Sequence, residues 1–250
     1  MPRIKMDKKS ILISCGSFNP PTIMHLRLFE LAKDHLEKYC GFEVLGGIVS
    51  PTHDNYIKKK PSLIAAKHRV EMVELSLKNY DFVRCSKWET LQDDWTRTRE
   101  VLQEHLKQIH NAVNSPESIG SYFPESLNGL TYEEVTNPKI FRLYFICGGD
   151  LLESFSVPKL WKEEDIETIV RDFGLLVITR EGSNPEEYIK KHPILNSYTE
   201  NIQVVRERIS NDISSTKIRE ALKKDASIRF FVMDEVIEYI RENKLYRSTL

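Results

Sequence analysis

The sequence ILISCGSFNPPTIMH spans residues 11–25 and contains the transition that decides the fold. Its first part, Ile11–Cys15, is an apolar run that predicts a buried strand ending at Gly16. An amphipathic helix is predicted over Thr22–Tyr39, because apolar residues recur there every three or four positions. A buried strand followed by such a helix is typical of βαβ units in a parallel sheet.

The same alternation of strand and helix continues along most of the chain. Further strands are predicted at Val44–Val49, Phe82–Cys85, Phe141–Cys147, Leu175–Thr179 and Ile202–Val205, and further helices at Ala65–Asn79, Trp95–Asn111, Lys162–Asp172, Ser215–Lys223 and Phe230–Asn243. Periodicity is lost over Asn114–Pro138, where we predict a mobile surface insertion. We therefore expect a single α/β domain over residues 1–250, with an open parallel sheet and helices on both faces.

The composition is that of an ordinary globular protein. Of 250 residues, 40% are hydrophobic and 29% are charged, and the net charge of −1 indicates neither a nucleic-acid partner nor a membrane surface. No apolar run is long enough to span a bilayer. The scattered cysteines form no C-x-x-C pair, which favours buried thiols over disulfides or zinc ligands. We expect a cytoplasmic protein, with a nuclear location left open.

The loop between the first strand and the first helix has the features of a phosphate-binding site. In a parallel sheet, ligands collect beyond the carboxyl ends of the strands, where this loop lies. Gly16 permits close approach of the backbone, and Asn19-Pro20-Pro21 makes the turn rigid. Thr22 can cap the helix, which places His25 in the first turn, where free amides and the helix dipole favour an anion.

A second segment with phosphate-binding chemistry, ISSTKIR, spans Ile213–Arg219. Its Ser and Thr residues present hydroxyls and free amides at a helix start, while Lys217 and Arg219 project from the first turn. On its own, a helix that begins with Ser and Thr does not indicate a phosphate site, because these residues begin many helices. Paired with the first loop, it indicates a triphosphate held between the two segments.

Together the two segments resemble the signature of the nucleotidylyltransferase superfamily, an (H/T)-x-x-H loop after the first strand and a late I-S-S-T-x-x-R segment. Other stretches are similar to the eukaryotic nicotinamide mononucleotide adenylyltransferases, namely IVSP at 48–51, WETLQ at 88–92, CGGDLLESF at 147–155, LW at 160–161 and VITR at 177–180. The resemblance covers nearly the whole chain except residues 114–138. The sequence departs from the family pattern at Met24, where the wider superfamily has Gly, and at Gly149, which replaces the usual Ala.

The resemblance implies an enzyme that condenses ATP with nicotinamide mononucleotide, and with the nicotinate form, to give NAD or deamido-NAD and pyrophosphate. The transfer is in line, without a covalent enzyme intermediate. Mg²⁺ is expected to be bound mainly through the ATP phosphates, with no metal ligands of the protein's own. A Rossmann-like fold of the nucleotidylyltransferase type and a homo-oligomer are also implied.

The site residues follow from the same resemblance. The implied ATP and dinucleotide ligands are Gly16, Ser17, Phe18, His25, Lys58, Gly148, Asp150, Glu207, Thr216, Lys217, Ile218 and Arg219, and the catalytic candidates are His25, Lys58 and Arg219. Lys59 stays an alternative to Lys58, because Pro61–Ile64 is longer than in relatives. Trp95, Thr98, Leu160 and Trp161 are implied at the nicotinamide end, where an indole can stack on the pyridine ring.

The sequence supports other functions less well. The G-x-G-x-x-G of a dinucleotide-binding dehydrogenase and the G-x-x-x-x-G-K-[ST] of a P-loop kinase are both absent. Another transferase of the superfamily, such as one acting on pantetheine phosphate, remains an alternative that the nicotinamide-end motifs disfavour. A non-catalytic protein that kept the fold is a second alternative, and the preference between amide and acid acceptor is open.

Overall fold

A parallel sheet forms the centre of the computed structural model, which describes residues 6–58, 62–114, 127, 129–179, 184–209 and 211–246. Within these residues the strands are β1 (Lys8–Gly16), β2 (Phe42–Pro51), β3 (Val83–Cys85), β4 (Phe141–Gly148), β5 (Gly174–Thr179) and β6 (Ile202–Arg206). All neighbouring strands are parallel, in the spatial order β3-β2-β1-β4-β5-β6. This is the strand order of a doubly wound, Rossmann-like sheet.

Helices connect the strands and cover the sheet. They are α1 (Ile23–Tyr39), α2 (Ala66–Leu77), α3 (Thr98–Asn114), α4 (Tyr132–Thr136), α5 (Gly149–Ser154), α6 (Glu163–Asp172), α7 (Pro185–Lys191), α8 (Ser215–Lys223) and α9 (Asp234–Glu242), with short 3-10 helices at Asp54–Lys58, Glu89–Leu91 and Leu195–Asn201. None of the described helices combines the length and apolar composition needed to cross a bilayer.

The central strands β1, β4 and β5 are buried on both faces over most of their length, which explains their mainly apolar sequences. Successive side chains of a strand point to opposite faces. Leu12 accordingly packs in one core with Phe29 of α1, whereas Ile11 and Ile13 pack in the other core, which contains Ile109 of α3. Helices therefore cover both faces of the sheet, and the expected fold class is confirmed.

The last two helices pack against α2. Ile218 of α8 and Val236 and Ile240 of α9 share a small apolar core with Met72 of α2. This packing fixes the ISSTKIR segment, which begins α8, on the face of the sheet that α1 and α2 cover.

The sheet also indicates where a ligand binds. From β1 the chain continues to β2 on one side, and from β4 it continues to β5 on the other. The crevice between two such strands, outside their carboxyl ends, is the usual ligand site of open α/β sheets. Gly16 and Gly148 are the last residues of these two strands.

The final part of the predicted insertion at 114–138 contains regular structure that the sequence analysis did not predict. Tyr132–Thr136 is a helix, whose start is fixed by Thr131 and Glu134, since each side chain accepts a hydrogen bond from the other residue's amide. Val135 packs in the core beside α3, together with Leu127 and Leu130. The T-x-x-E capping pattern was the sequence signal for this helix. Residues 115–126 and 128 lie outside the described residues.

Candidate active site

The loop after β1 is held by a buried asparagine. The side chain of Asn19 has no exposed surface. Its Nδ2 donates to the carbonyl of Ser62 (2.8 Å), and its Oδ1 accepts from the hydroxyl of Tyr246 (2.8 Å). The peptide bond between Asn19 and Pro20 is cis. Because both the nitrogen and the oxygen of the buried side-chain amide are hydrogen-bonded, the loop has one well-defined position.

A fully buried arginine on α2 ties this loop to the segment after β2. Arg69 donates to the carbonyls of Ser17 (3.1 Å), Thr52 (2.7 Å) and Ile64 (2.8 Å), and it pairs with Asp54 (3.1 Å). Burial lowers the pKa of the guanidinium, and the Asp54 carboxylate opposes this effect. Arg69 is absent from the predicted site, because an arginine in a helical pattern is normally assigned to the solvent-exposed face.

His25 lies in the first turn of α1, as predicted. The backbone amide of Thr22 donates to Nδ1 of His25 (2.9 Å). Because Nδ1 is thereby an acceptor, the neutral ring carries its proton on Nε2. The imidazole also packs edge-on against Phe18, with 5.2 Å between the ring centroids. The first turn of α1 therefore presents a proton donor with a fixed orientation.

The two predicted phosphate-binding segments meet. The hydroxyl of Ser215 donates to the carbonyl of Pro20 (2.8 Å), and Nη1 of Arg219 donates to the carbonyl of Asn19 (2.8 Å). These partners are 195 and 200 positions apart in the chain. Nη2 of Arg219 contacts the hydroxyl of Thr216 (3.2 Å), so the guanidinium lies between the β1 loop and the start of α8.

The predicted nicotinamide-end residues share one cavity of about 640 Å³, a volume typical of small-molecule sites. Its lining includes Gly16, Ser17, Trp95, Thr98, Asp150, Leu160 and Trp161. The indole of Trp95 lies near the ring of Tyr56 (5.9 Å between centroids). The indole of Trp161 donates to Ser154 (3.0 Å) and contacts Phe155 edge-on. The cavity thus extends from the first motif to the predicted acceptor pocket.

A buried carboxyl group also faces this cavity. Glu89 is only 3% exposed and accepts hydrogen bonds from the hydroxyls of Thr52 (2.9 Å) and Ser50 (3.2 Å). Burial raises the pKa of Glu89 to about 7, although these hydroxyls and Arg69 oppose the shift. Its charge therefore changes near neutral pH. Glu89 belongs to the WETLQ stretch, but nothing in the sequence alone showed that its side chain is buried.

The end of β4 offers open space for a ligand. Apart from its neighbours along the chain, no described residue has an atom within 4 Å of where a Cβ atom at Gly148 would lie. Gly148 is the N-cap residue of α5, and Asp150 is an exposed residue of that helix's first turn. These two predicted ribose-binding residues therefore lie at the crevice between β1 and β4.

Comparisons with known proteins identify the family. The sequence model described as cytidylyltransferase-like matches residues 13–221. Nicotinamide/nicotinic acid mononucleotide adenylyltransferase 1 from Bos taurus is 42% identical over 251 residues, covering 95% of this chain and 89% of that protein. The chain belongs to this adenylyltransferase family.

Other members of the adenylyltransferase family support the same assignment. The Oryza sativa nicotinamide/nicotinic acid mononucleotide adenylyltransferase is 43% identical over 239 residues, covering 96% of this chain and 86% of that protein. A solved structure of the Plasmodium falciparum nicotinic acid mononucleotide adenylyltransferase, complexed with APC, has a TM-score of 0.58 at 21% identity. It covers 95% of this chain and 97% of that one. This likeness shows a shared fold.

Three residues expected from the adenylyltransferase pattern have protein partners. Glu207 is 7% exposed, pairs with Arg27 of α1 (3.0 Å) and accepts from the amide of Ile209 (3.0 Å). Lys217 pairs with Asp212 at the surface, and Ile218 is buried in the core beside α2. The Ile218 side chain therefore anchors α8. The ligand contacts expected of these residues stay predictions.

The predicted phosphate-binding lysine lies at the end of the segment that follows β2. Lys58 is the last residue of the 3-10 helix Asp54–Lys58, directly after the segment that Arg69 and Asp54 fix. The side chain of Lys58 and the whole of Lys59 lie outside the described residues. The choice between the two lysines stays a prediction.

Proposed function

We propose that this protein transfers the adenylyl group of ATP to nicotinamide mononucleotide, and to nicotinate mononucleotide, releasing pyrophosphate. The observation that carries the proposal is the meeting of the two phosphate-binding segments, through Ser215 on Pro20 and Arg219 on Asn19. The crevice beyond β1 and β4 then continues into the cavity that contains both predicted acceptor tryptophans. The two mononucleotide substrates are assigned from the names of the relatives in the same family.

The reaction requires no nucleophile from the enzyme. An oxygen of the mononucleotide's 5′-phosphate forms a bond to the α-phosphorus of ATP. The bond from that phosphorus to the oxygen bridging to the β-phosphate breaks in line, and pyrophosphate carries away the electron pair. Catalysis of this kind is positioning together with stabilisation of the charge on the phosphoryl oxygens.

Positive groups from two elements stabilise this charge. The starts of α1 and α8 carry the positive ends of the helix dipoles, which favour anionic oxygens. Nε2 of His25 donates a directed hydrogen bond, while Arg219 supplies a fixed charge. We assign Lys58, or Lys59, to the same phosphates on the basis of the family pattern.

The acceptor base binds at the other end of the cavity. Trp95 and Trp161 both line it, and each presents an aromatic surface on which a pyridine ring can stack. Such stacking contributes about 1–3 kcal/mol by analogy with nucleic-acid bases, and a cationic nicotinamide adds a cation–π term. We assign Asp150 to the ribose, because it lies between the β4 end and this pocket.

Magnesium enters this reaction as part of the substrate. Among the described residues there is no group of three or more His, Cys, Asp or Glu side chains able to hold a metal ion. We expect the Mg²⁺ ion to be coordinated mainly by ATP oxygens and water, as Mg²⁺ in nucleotide sites commonly is. The ion neutralises charge on the β- and γ-phosphates.

One assay tests the function and separates the alternatives. Purified protein is mixed with Mg²⁺, ATP and nicotinamide mononucleotide, and NAD is detected with alcohol dehydrogenase and ethanol. NAD formation with equimolar pyrophosphate supports the proposal. Product formed only with pantetheine phosphate would favour the rival transferase, and no product with any acceptor would favour a non-catalytic protein.

The oligomeric state and the cellular location are predicted from the sequence alone. A homo-oligomer is expected from the family resemblance, and light scattering of the purified protein measures its mass in solution directly. A cytoplasmic location is expected as well, and fluorescence imaging of a tagged chain would distinguish it from a nuclear one.

A further inference from the structure

Glu89 is a buried carboxyl group in the wall of the cavity that the transfer reaction described above does not use. It begins the 3-10 helix Glu89–Leu91, six positions before Trp95 in the chain. Glu89 and Trp95 both line the cavity in which we place the acceptor's pyridine ring. Burying a carboxyl group costs free energy unless its oxygens are hydrogen-bonded, so the bonds of Glu89 indicate what it does.

The carboxyl group of Glu89 joins its own segment to the end of β2. Its Oε1 accepts from the hydroxyl of Thr52 (2.9 Å), and its Oε2 accepts from the hydroxyl of Ser50 (3.2 Å). Both donors are buried, and both lie where β2 ends. Each carboxyl oxygen thus has a donor of its own, and the two bonds fix the WETLQ stretch to this strand.

The same two parts of the chain meet a second time at Trp95. The side-chain amide of Asn55 donates to Oδ1 of Asp94 (2.8 Å), and the ring of Tyr56 lies 5.9 Å from the indole of Trp95. We call residues 89–95 the acceptor wall. The Asn55 bond is exposed, whereas the bonds of Glu89 are buried and therefore stronger. Glu89 is thus the firmer attachment of the acceptor wall.

Thr52 connects the acceptor wall to the loop after β1. Its amide donates to the carbonyl of Gly16 (2.9 Å), its carbonyl accepts from Arg69 (2.7 Å), and its hydroxyl donates to Glu89. The loop after β1 has further hydrogen bonds to α2 and α8. Loss of the Glu89 bonds would therefore loosen the acceptor wall and leave the loop held.

We infer that Glu89 is a positioning residue, which holds Trp95 in the orientation that stacks on the acceptor's pyridine ring. The inference rests on the proposed function. The ionised carboxylate holds the acceptor wall most firmly, because hydrogen bonds to an ionised group are about twice as strong as those between neutral groups. A protonated carboxyl group accepts weaker bonds from the two hydroxyls, so it holds the wall less well.

The groups around Glu89 decide when it is ionised. Burial raises its pKa to about 7, while the two hydroxyls, the amide of His53 and the Arg69 guanidinium oppose the shift. Tyr56 and Cys15 also face it, and burial together with the Glu89 charge raises the pKa of both, so both are neutral near pH 7. Other charged side chains line the cavity and are the same in every variant compared below, namely Arg97, Arg99, Asp150, Lys159, Lys162 and Asp165.

The test measures kcat and the two KM values separately, well below and well above pH 7, in wild type and Glu89→Gln. Gln has the size of Glu and resembles its neutral form. Above pH 7 the KM for nicotinamide mononucleotide is expected to be about fivefold higher in the variant, because charge-assisted bonds are lost. Well below pH 7 the two proteins should agree, and the KM for ATP should match throughout. Titration of the acceptor's phosphate affects both proteins alike.

A double-mutant cycle shows whether Glu89 acts through Trp95. In a Trp95→Ala background, Glu89→Gln is expected to change the KM for the mononucleotide by less than about twofold, since coupled residues are not additive. Glu74→Gln is the matched control. Its carboxylate pairs with Lys87 (2.8 Å) just before the WETLQ stretch, but outside the cavity, so this variant should leave both KM values unchanged.

A second variant decides if Glu89→Gln does not fold. Ser50→Ala removes one of the two hydroxyl donors and leaves the other, so the KM for the mononucleotide is expected to rise by about twofold above pH 7, again without a change in the KM for ATP.

The remaining outcomes would overturn the inference. An equal rise in both KM values, or a KM ratio between variant and wild type that does not vary with pH, would leave Glu89 a structural role alone. Additive effects of Glu89→Gln and Trp95→Ala would show that Glu89 does not act through Trp95. Failure of the wild-type protein to form NAD would refute the proposed function, which is a different result.

Discussion

At the scale of the residue, most of the candidate site is held by hydrogen bonds to backbone carbonyls. Arg69 binds the carbonyls of three separate segments, and Arg219 and Ser215 bind the carbonyls of Asn19 and Pro20. Backbone carbonyls are available whatever the local side chain is. Sequence patterns therefore reveal which charged residues are present, but they do not reveal which loops those residues join.

Replacing His25 with Ala is expected to lower kcat by about 10²–10³, as removing one preorganised charge-stabilising donor does in other enzymes. The Thr22 amide fixes the orientation of the ring, so the donated proton on Nε2 is lost with the imidazole. Initial rates at saturating ATP and acceptor measure the effect. His35→Ala, on the same helix and bonded to Gln203, is the control, and near-normal turnover in His25→Ala would remove this histidine from the mechanism.

Replacing Glu89 with Gln is expected to change how stability depends on pH. Burial raises the pKa of Glu89 from 4.5 to about 7 in the folded protein. Between these two pH values the folded state binds more protons than the unfolded state, so the wild-type free energy of unfolding falls as pH rises. In the Glu89→Gln variant this decrease in the free energy of unfolding with rising pH is absent. Its free energy of unfolding relative to wild type should therefore increase from pH 4.5 to 7, by at most about 3 kcal/mol.

Urea unfolding at several pH values measures this difference. The exposed Glu220→Gln on α8 is the control for loss of a carboxylate elsewhere. A difference between Glu89→Gln and wild type that stays flat across the window would show that Glu89 has the same pKa in the folded and the unfolded protein, and would contradict the expectation.

At the scale of the element, the strands could be predicted and several helices could not. β1, β4 and β5 are buried on both faces, and their apolar runs locate them to within a few residues. The predicted helix Trp95–Asn111 is instead Thr98–Asn114, and Trp95 and the two residues after it line the cavity outside the helix.

Short helices were missed for a different reason. α5 has six residues and α7 has seven, which is too few turns for a hydrophobic period to be visible in the sequence. α7 did carry a local signal, since Asn184 caps it and Pro185 follows at the first turn. The predicted helix Phe230–Asn243 begins only at Asp234, and Phe230 has a φ angle of 68°, which a helix cannot contain.

Replacing Gly47 with Ala is expected to destabilise the protein by about 1–3 kcal/mol. A Cβ at this position in β2 would lie 2.5 Å from Cδ1 of Phe29, whose ring is fully buried against the strand and has no room to move. Urea unfolding midpoints measure the loss. Gly149→Ala is the matched control, since its Cβ would lie 3.9 Å from Thr179, and equal midpoints for both variants would contradict the expectation.

At the scale of the whole molecule, residues from three distant parts of the chain complete one loop. The side-chain nitrogen of Asn19 is bonded to Ser62 and its side-chain oxygen to Tyr246, while its backbone carbonyl accepts a hydrogen bond from Arg219. The sequence indicated that the first and last of the phosphate-binding segments converge. It gave no sign of Tyr246, because a tyrosine near the end of a helical pattern has many possible neighbours.

Replacing Tyr246 with Phe is expected to cost about 1–3 kcal/mol of stability and to raise the KM for ATP. The change removes the donor to Oδ1 of Asn19, a fully buried acceptor, and leaves it without that bond. Burial already raises the pKa of the Tyr246 hydroxyl, so it stays a donor at all ordinary pH values. Tyr39→Phe, an exposed change, is the control, and an unaltered KM for ATP would show that the bond does not position the loop.

The position of β1 has a consequence for how the protein is made. β1 is translated before its neighbour β4, which begins at Phe141, and the bonds that complete the loop after β1 come from Arg219 and Tyr246. Domains are synthesised from the N-terminus onwards, so a growing chain that has not reached Tyr246 lacks part of the candidate site. The loop after β1 therefore cannot be completed until Tyr246 has been translated.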